Sequence, residues 1–132
     1  MKIGFIIYDG MTALDFIGIY DPITRLKTMG FMSDLEWDIC AYTEEVNDNA
    51  GLRFMPTRVR ESLESYDMII IPGGFIKTIQ KLIDNIRFIE WIMTASQCKL
   101  KVSVCTGSLL FGAAGLLREK VATTHPSAFN EL

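Results

Sequence analysis

Short apolar runs alternate with helix-patterned stretches along the whole chain, and this alternation narrows the fold more than any other feature. Residues 2–8 (KIGFIIY) read as a buried strand. Asp9-Gly10 makes a turn, and residues 12–20 follow with a helical period. Asp21-Pro22 predicts a restarted helix, with Asp as cap and Pro at the first position, closed by Gly30. Residues 36–43 (EWDICAYT) alternate as a second strand. Residues 44–60 read as loop with a short extended piece around Leu52–Met55, and 61–65 as one helical turn. Residues 67–71 (DMIII) form a buried strand that stops at Pro72-Gly73-Gly74. Residues 78–97 are helical with a break near Asp84-Asn85. Residues 100–104 make the next strand and 119–123 a further short one, and 127–132 begin another helix. Such alternation predicts an α/β fold, an open and mostly parallel sheet with helices on both faces.

Composition limits the function classes. At 132 residues the chain suits one domain, and 49% hydrophobic content supports a sizeable core. The net charge is −3 and no Lys/Arg cluster stands out, which argues against a nucleic-acid partner. No apolar run reaches membrane-spanning length, so no membrane partner is expected. The segment MKIGFIIYDG lacks the apolar core and small-residue cleavage site of a signal peptide. Three irregularly spaced cysteines, Cys40, Cys98 and Cys105, read as reduced thiols, and a cytoplasmic location is expected. One histidine and no CxxC leave no His/Cys metal site, and no cofactor is expected. Met55, Met68 and Met93 read as core filling.

Residues 100–117, LKVSVCTGSLLFGAAGLL, carry the strongest chemical signal. The run through Val104 stops at Cys105, small and hydroxyl residues follow, and an apolar helical pattern begins. A strand, a sharp turn and a helix with cysteine at the corner resemble the nucleophile elbow of serine hydrolases, with Cys for Ser. Unpaired N–H groups and the dipole at a helix start favour thiolate over thiol. The alternative is a buried, inert cysteine acting as a small hydrophobe.

Other candidates sit after strands, where open α/β sheets place their sites. Gly73 and Gly74 allow close approach of backbone to a ligand, and with the Thr106 N–H one of them could form an oxyanion hole. The alternative is an ordinary turn pair. Asp15 stands among Ala13, Leu14, Phe16 and Ile17, and apolar company should raise its pKa and suit it to general acid work. Equally, Thr12-x-x-Asp15 fits a capping box, in which Asp15 only bonds the helix start. Thr106 could orient a substrate or cap its helix. His125 could act as a base to Cys105 or sit on a surface loop.

Taken together these segments resemble the ThiJ/PfpI superfamily, which includes isonitrile hydratases, glyoxalase-type enzymes and the Parkinson-associated protein deglycase. The likeness is carried by GFIIYDGMTALDFIGIYDP (4–22), DMIIIPGG (67–74), SVCTGSLLFGAAGLL (103–117) and VATTHP (121–126), and is nearest the isonitrile hydratase branch. It implies a flavodoxin-like sheet of the class I glutamine amidotransferase type. It implies Cys105 as nucleophile, Asp15 as partner carboxyl where much of the family has Glu, and oxyanion contacts from Gly74 and Thr106. His125 matches a position near the cysteine in some branches. The resemblance predicts a small-molecule enzyme in which Cys105 attacks an electrophilic carbon of an isonitrile or aldehyde and Asp15 serves as acid and base. The alternatives are a redox-sensing stress protein, a non-catalytic sensor domain and, less well suited to a Cys–acid pair, a peptidase.

Family members continue past the TTH segment with more strands and a C-terminal helix. Residues 1–132 are therefore expected to be a single ThiJ/PfpI-type domain lacking those elements. Apolar surface left uncovered would be buried by a partner, and a homodimer is expected.

Overall fold

The computed structural model describes residues 1–132. Its centre is a five-stranded sheet built on β1 (Lys2–Ile6), whose residues from Ile3 onward are buried. A strand buried on both faces reads as a continuous apolar run, and β1 does. β2 (Glu36–Ala41) lies on one side of β1 in parallel register, Lys2 opposite Glu36 and Ile6 opposite Cys40. A hairpin of β3 (Val46–Asn47) and β4 (Arg53–Phe54) interrupts the chain before β5 (Arg58–Val59) joins the outer edge of β2. β6 (Met68–Ile71) lies on the other side of β1, and β7 (Leu100–Ser103) lies beyond β6 with Leu100 opposite Met68. The sheet order β5-β2-β1-β6-β7 is parallel throughout.

The connections supply the covering layers. α1 (Ala13–Thr28) follows β1, α2 (Ile76–Asp84) and α3 (Ile86–Met93) follow β6, and α4 (Ser108–Ala113) follows β7. Phe5 meets Phe16 and Tyr20 of α1 edge-on at 6.2 and 5.1 Å, while Tyr8 meets Phe88 of α3 at 6.3 Å. Odd and even positions of an extended chain face opposite ways, so the helices lie on both faces as expected. The chain leaves β1 toward β2 on one side and later returns to β6 on the other. That reversal creates a crevice at the carboxyl ends of β1 and β6, where flavodoxin-like sheets bind ligands.

Several expectations are corrected. The predicted restart at Asp21-Pro22 is absent, and α1 runs through Pro22. The bond Pro22 cannot donate would have gone to Gly18, an exposed residue whose carbonyl water can satisfy. Asp21 pairs with Arg25 one turn on at 2.9 Å instead of capping. Gly30 does end the unit, with φ of 83°. Residues 61–65 form no helix, only a single turn closed by Tyr66 N–H donating to Leu63 O at 3.4 Å, and the strand β5 lies just before them. Residues 119–123 form no strand, because no edge pairs with them and Val121 stands fully in solvent. Residues 126–131 make a 3₁₀ turn rather than an α-helix. Met55 and Met93 are exposed, and Met68 alone of the three packs on the core. Apolar side chains also stand in solvent on α1, at Leu14 and Ile17.

Cys40 and Cys98 belong to the core. Cys40 Sγ donates to Tyr66 Oη at 3.3 Å, and Tyr66 Oη donates to Asp38 Oδ2 at 2.8 Å. Burial pushes the Cys40 thiol from its ordinary 9.0 up to about 11, and burial pushes the Tyr66 phenol above its usual range too. Each group is folded in its neutral form, so each contributes stability that is complete below its unfolded pKa and lost as pH rises through the folded one. Urea midpoints are therefore expected to hold to about pH 9 and to fall as pH approaches 11. Replacing Cys40 with alanine should flatten the first part of that fall.

Candidate active site

The segment after β7 turns sharply. Val104 is extended, Cys105 takes φ of 53°, and a single 3₁₀ turn over Cys105–Gly107 leads into α4. A non-glycine residue in the left-handed region is strained, and such strain concentrates at functional sites. The turn is compressed by Gly107: a β-carbon there would lie 2.7 Å from the carbonyl oxygens of both Ile71 and Pro72. Glycine alone lets the elbow seat against the end of β6. Cys105 is exposed while Thr106, Gly107 and Ser108 are buried, so the reading of Cys105 as an inert core thiol is set aside.

The loop after β6 is stitched to this elbow. Thr106 Oγ1 donates to Gly74 O at 2.7 Å and accepts from Gly74 N–H at 3.0 Å. The hydroxyl therefore neither caps α4 nor is left for a ligand, and it occupies the Gly74 N–H that was a candidate oxyanion donor. The N–H groups of Gly73 and Thr106 carry no intramolecular hydrogen bond.

The start of α1 closes the third side. Thr12 N–H donates to Gly73 O at 2.8 Å, and Thr12 makes no side-chain cap, so the predicted capping box does not form. Asp15 is freed from that role. Its Oδ2 is buried without a hydrogen-bond partner. An orphaned buried carboxylate oxygen is costly and calls for an explanation. The explanation is its position: a β-carbon added to Gly73 would lie 2.8 Å from Asp15 Oδ2, 2.8 Å from Cys105 Cβ and 3.0 Å from Thr106 N. A carboxyl oxygen, the cysteine and a free N–H thus crowd one face of Gly73, and only a glycine lets them come so close.

Cys105 opens into a cleft of about 300 Å³. Thr12, Gly74, Phe75, Ile76, Thr106, His125 and Ser127 line it with Cys105. Larger hollows exist, including one of about 530 Å³ along α1, but no nucleophile lines it. His125 is exposed and shares the cleft with Cys105. Its Nδ1 accepts from Ser127 N–H at 3.2 Å and lies 2.8 Å from Ser127 Oγ. No group of three or more His, Cys, Asp or Glu side chains is placed to hold a metal ion.

Sequence reasoning missed two supports. Tyr8 is buried, and its Oη donates to Pro72 O at 2.7 Å, anchoring the loop that carries Gly73. Burial raises its pKa well above the ordinary value, and the nearby Asp15 and Cys105 charges raise it further, so it stays a neutral donor. A polar atom at the end of an apolar strand run was the available signal. Thr124 Oγ1 donates to Cys105 O at 3.1 Å and pins the TTHP segment beside the elbow.

The sequence profile of the DJ-1/PfpI family matches residues 1–132. The chain belongs to the DJ-1/PfpI family. Among curated relatives, the isonitrile hydratase of Pseudomonas putida is 35% identical over 126 residues, which cover 95% of this chain and 52% of that protein. The chain thus spans about half the length of the curated relatives it matches. A ThiJ/PfpI family protein from Pseudomonas syringae superposes with a TM-score of 0.71 at 28% identity, covering 88% of this chain and 46% of the other. Oxidized DJ-1 from Toxoplasma gondii shares the fold, with a TM-score of 0.78 at 20% identity over 99% of this chain and 70% of its own. These matches agree with the expected family and the flavodoxin-like sheet. No helix is long and apolar enough to cross a membrane.

Proposed function

We propose that this DJ-1/PfpI chain carries the reacting half of a cysteine-dependent small-molecule enzyme of the hydratase type, with an isonitrile as the favoured substrate class. The packing of Asp15 Oδ2, Cys105 and the Thr106 N–H together against Gly73 carries this reading. The thiolate of Cys105 attacks the terminal carbon of R–N≡C, forming an S–C bond. The Asp15 carboxyl delivers a proton to that carbon, which leaves a thioformimidate and a carboxylate. Asp15 then takes a proton from water as the water oxygen adds to the same carbon. Cleavage of the S–C bond with proton transfer to nitrogen returns the thiolate and releases an N-substituted formamide. An aldehyde would enter the same way, with its oxygen received by the Gly73 and Thr106 N–H groups. The similarity to the Pseudomonas putida isonitrile hydratase supports the first of these substrates.

Asp15→Asn tests the reading. The amide keeps the shape and cannot supply the proton. Loss of the N≡C infrared band of an alkyl isonitrile should slow by about a hundredfold, the usual contribution of general acid–base catalysis. A slowing of less than about threefold would remove Asp15 from the chemistry. Running a 2-oxoaldehyde beside the isonitrile decides which carbon the site accepts.

A further inference from the structure

His125 was read from sequence as a base to Cys105 or as a surface-loop residue; it is exposed and outside regular structure, as the second reading has it, and its hydrogen bonds argue against the first. A backbone N–H can only donate, so the bond from Ser127 N at 3.2 Å requires Nδ1 to present a lone pair. Ser127 Oγ, 2.8 Å from the same nitrogen, is a hydroxyl that can turn its proton toward that lone pair. With Nδ1 accepting from the backbone N–H, the proton of the neutral ring falls on Nε2. Nε2 has no protein partner, and the ring lines the cleft that Cys105 opens into. The segment cannot drift from the nucleophile, because Thr124 bonds the carbonyl of Cys105 itself at 3.1 Å. A base needs a free lone pair facing the reacting atoms, and the only lone pair of this ring is spent on Ser127.

We infer that His125 is a fixed Nε2–H donor that polarises a neutral electrophile in the Cys105 cleft, and that it transfers no proton. This inference rests on the reading of Cys105 as the reacting group. It adds a donor to the same cleft that Cys105 and Thr106 line. It also bears on the substrate. The cleft is lined by Phe75 and Ile76 and by no Lys or Arg, so the electrophile it suits is uncharged, with a small acceptor atom and an apolar substituent.

The test separates the donor from the turn it caps. His125 is the only histidine, so a long-range ¹H–¹⁵N spectrum of the imidazole shows one ring and reads its tautomer directly. The Nε2–H form is expected at a pH where imidazole is neutral, and the Nδ1–H form would overturn the inference without touching the role of Cys105. Acrylamide then serves as the neutral electrophile. The sulfur adds to its terminal carbon, the alkene π pair moves toward the amide oxygen, and water protonates the adjacent carbon. His125→Asn keeps an acceptor where Nδ1 stands and so keeps the cap, but its amide does not reach the Nε2 position. His125→Gln places an N–H there. The rate at Cys105, read by peptide mass spectrometry, should fall about tenfold in His125→Asn with an unchanged melting midpoint. His125→Gln should recover most of the rate. An undiminished rate in His125→Asn would mean that the ring only caps its turn. An equal loss in both folded variants would mean that donation by Nε2–H is not what matters. Either result overturns the inference. A wild-type Cys105 no more reactive than a free thiol would instead sink the proposed function, and the tautomer measurement would still stand.

Discussion

Gly107→Ala is expected to cost the domain about 3 kcal/mol or more, a large part of the 5–15 kcal/mol typical of a single domain. The backbone angle is not the reason, since Gly107 has φ of −57°. The reason is space. A β-carbon would lie 2.7 Å from Ile71 O, 2.7 Å from Pro72 O and 3.1 Å from Pro72 C. All of these are backbone atoms at the end of a central strand, so no side chain can swing away. Relief requires the elbow to lift off β6, which breaks the Thr106–Gly74 pair of bonds and opens the site. Gly112→Ala is the control. Its β-carbon meets nothing nearer than Leu117 at 3.7 Å, and alanine suits a helix better than glycine by about 0.8–1 kcal/mol. Urea unfolding of the two variants should give opposite signs.

Cys105→Ser is expected to abolish turnover of any substrate the site accepts, by roughly three orders of magnitude or more, while leaving the fold intact. The side chain is exposed, so the substitution disturbs little packing. A serine hydroxyl is a far weaker nucleophile than a thiol at neutral pH. The other thiols provide an internal standard. Cys40 and Cys98 are buried, and burial raises both thiols, Cys40 to about 11. Iodoacetamide at pH 8 should therefore label Cys105 first and spare the other two in the folded protein. The same contrast separates enzyme from redox sensor. Mild peroxide should oxidise Cys105 before the buried pair under either reading. Only the enzyme reading requires that Cys105→Ser remove turnover.

Much of this was legible in the chain. The strands read at 2–8, 67–71 and 100–104 announce themselves as apolar or β-branched runs, and Cys105 at the junction of a strand and a helix announces a corner. These are local patterns, and a few adjacent residues suffice to express them. Local reading failed where a neighbour in space overrode a neighbour in sequence. Pro22 looks like a helix start, yet α1 packs on Phe5 through Phe16 and Tyr20 on the near side of the proline and runs through it. Residues 119–123 look like a strand and find no edge to join.

The site divides along the same line. The chain alone supplied the candidates for chemistry: a thiol at a turn, a carboxyl in apolar company, paired glycines after a strand, one histidine. Their roles were decided only by the tertiary structure. Thr12 gave its N–H to Gly73 and so released Asp15 from capping. Thr106 took the Gly74 N–H and left Gly73 as the open donor. Ser127 N–H took the Nδ1 lone pair of His125, which argues against the base reading. In each case one hydrogen-bonding group had several partners within reach of its type, and a donor or lone pair once committed cannot serve a second. Which partner wins depends on distances across the sheet, and those exist only after the strands are paired.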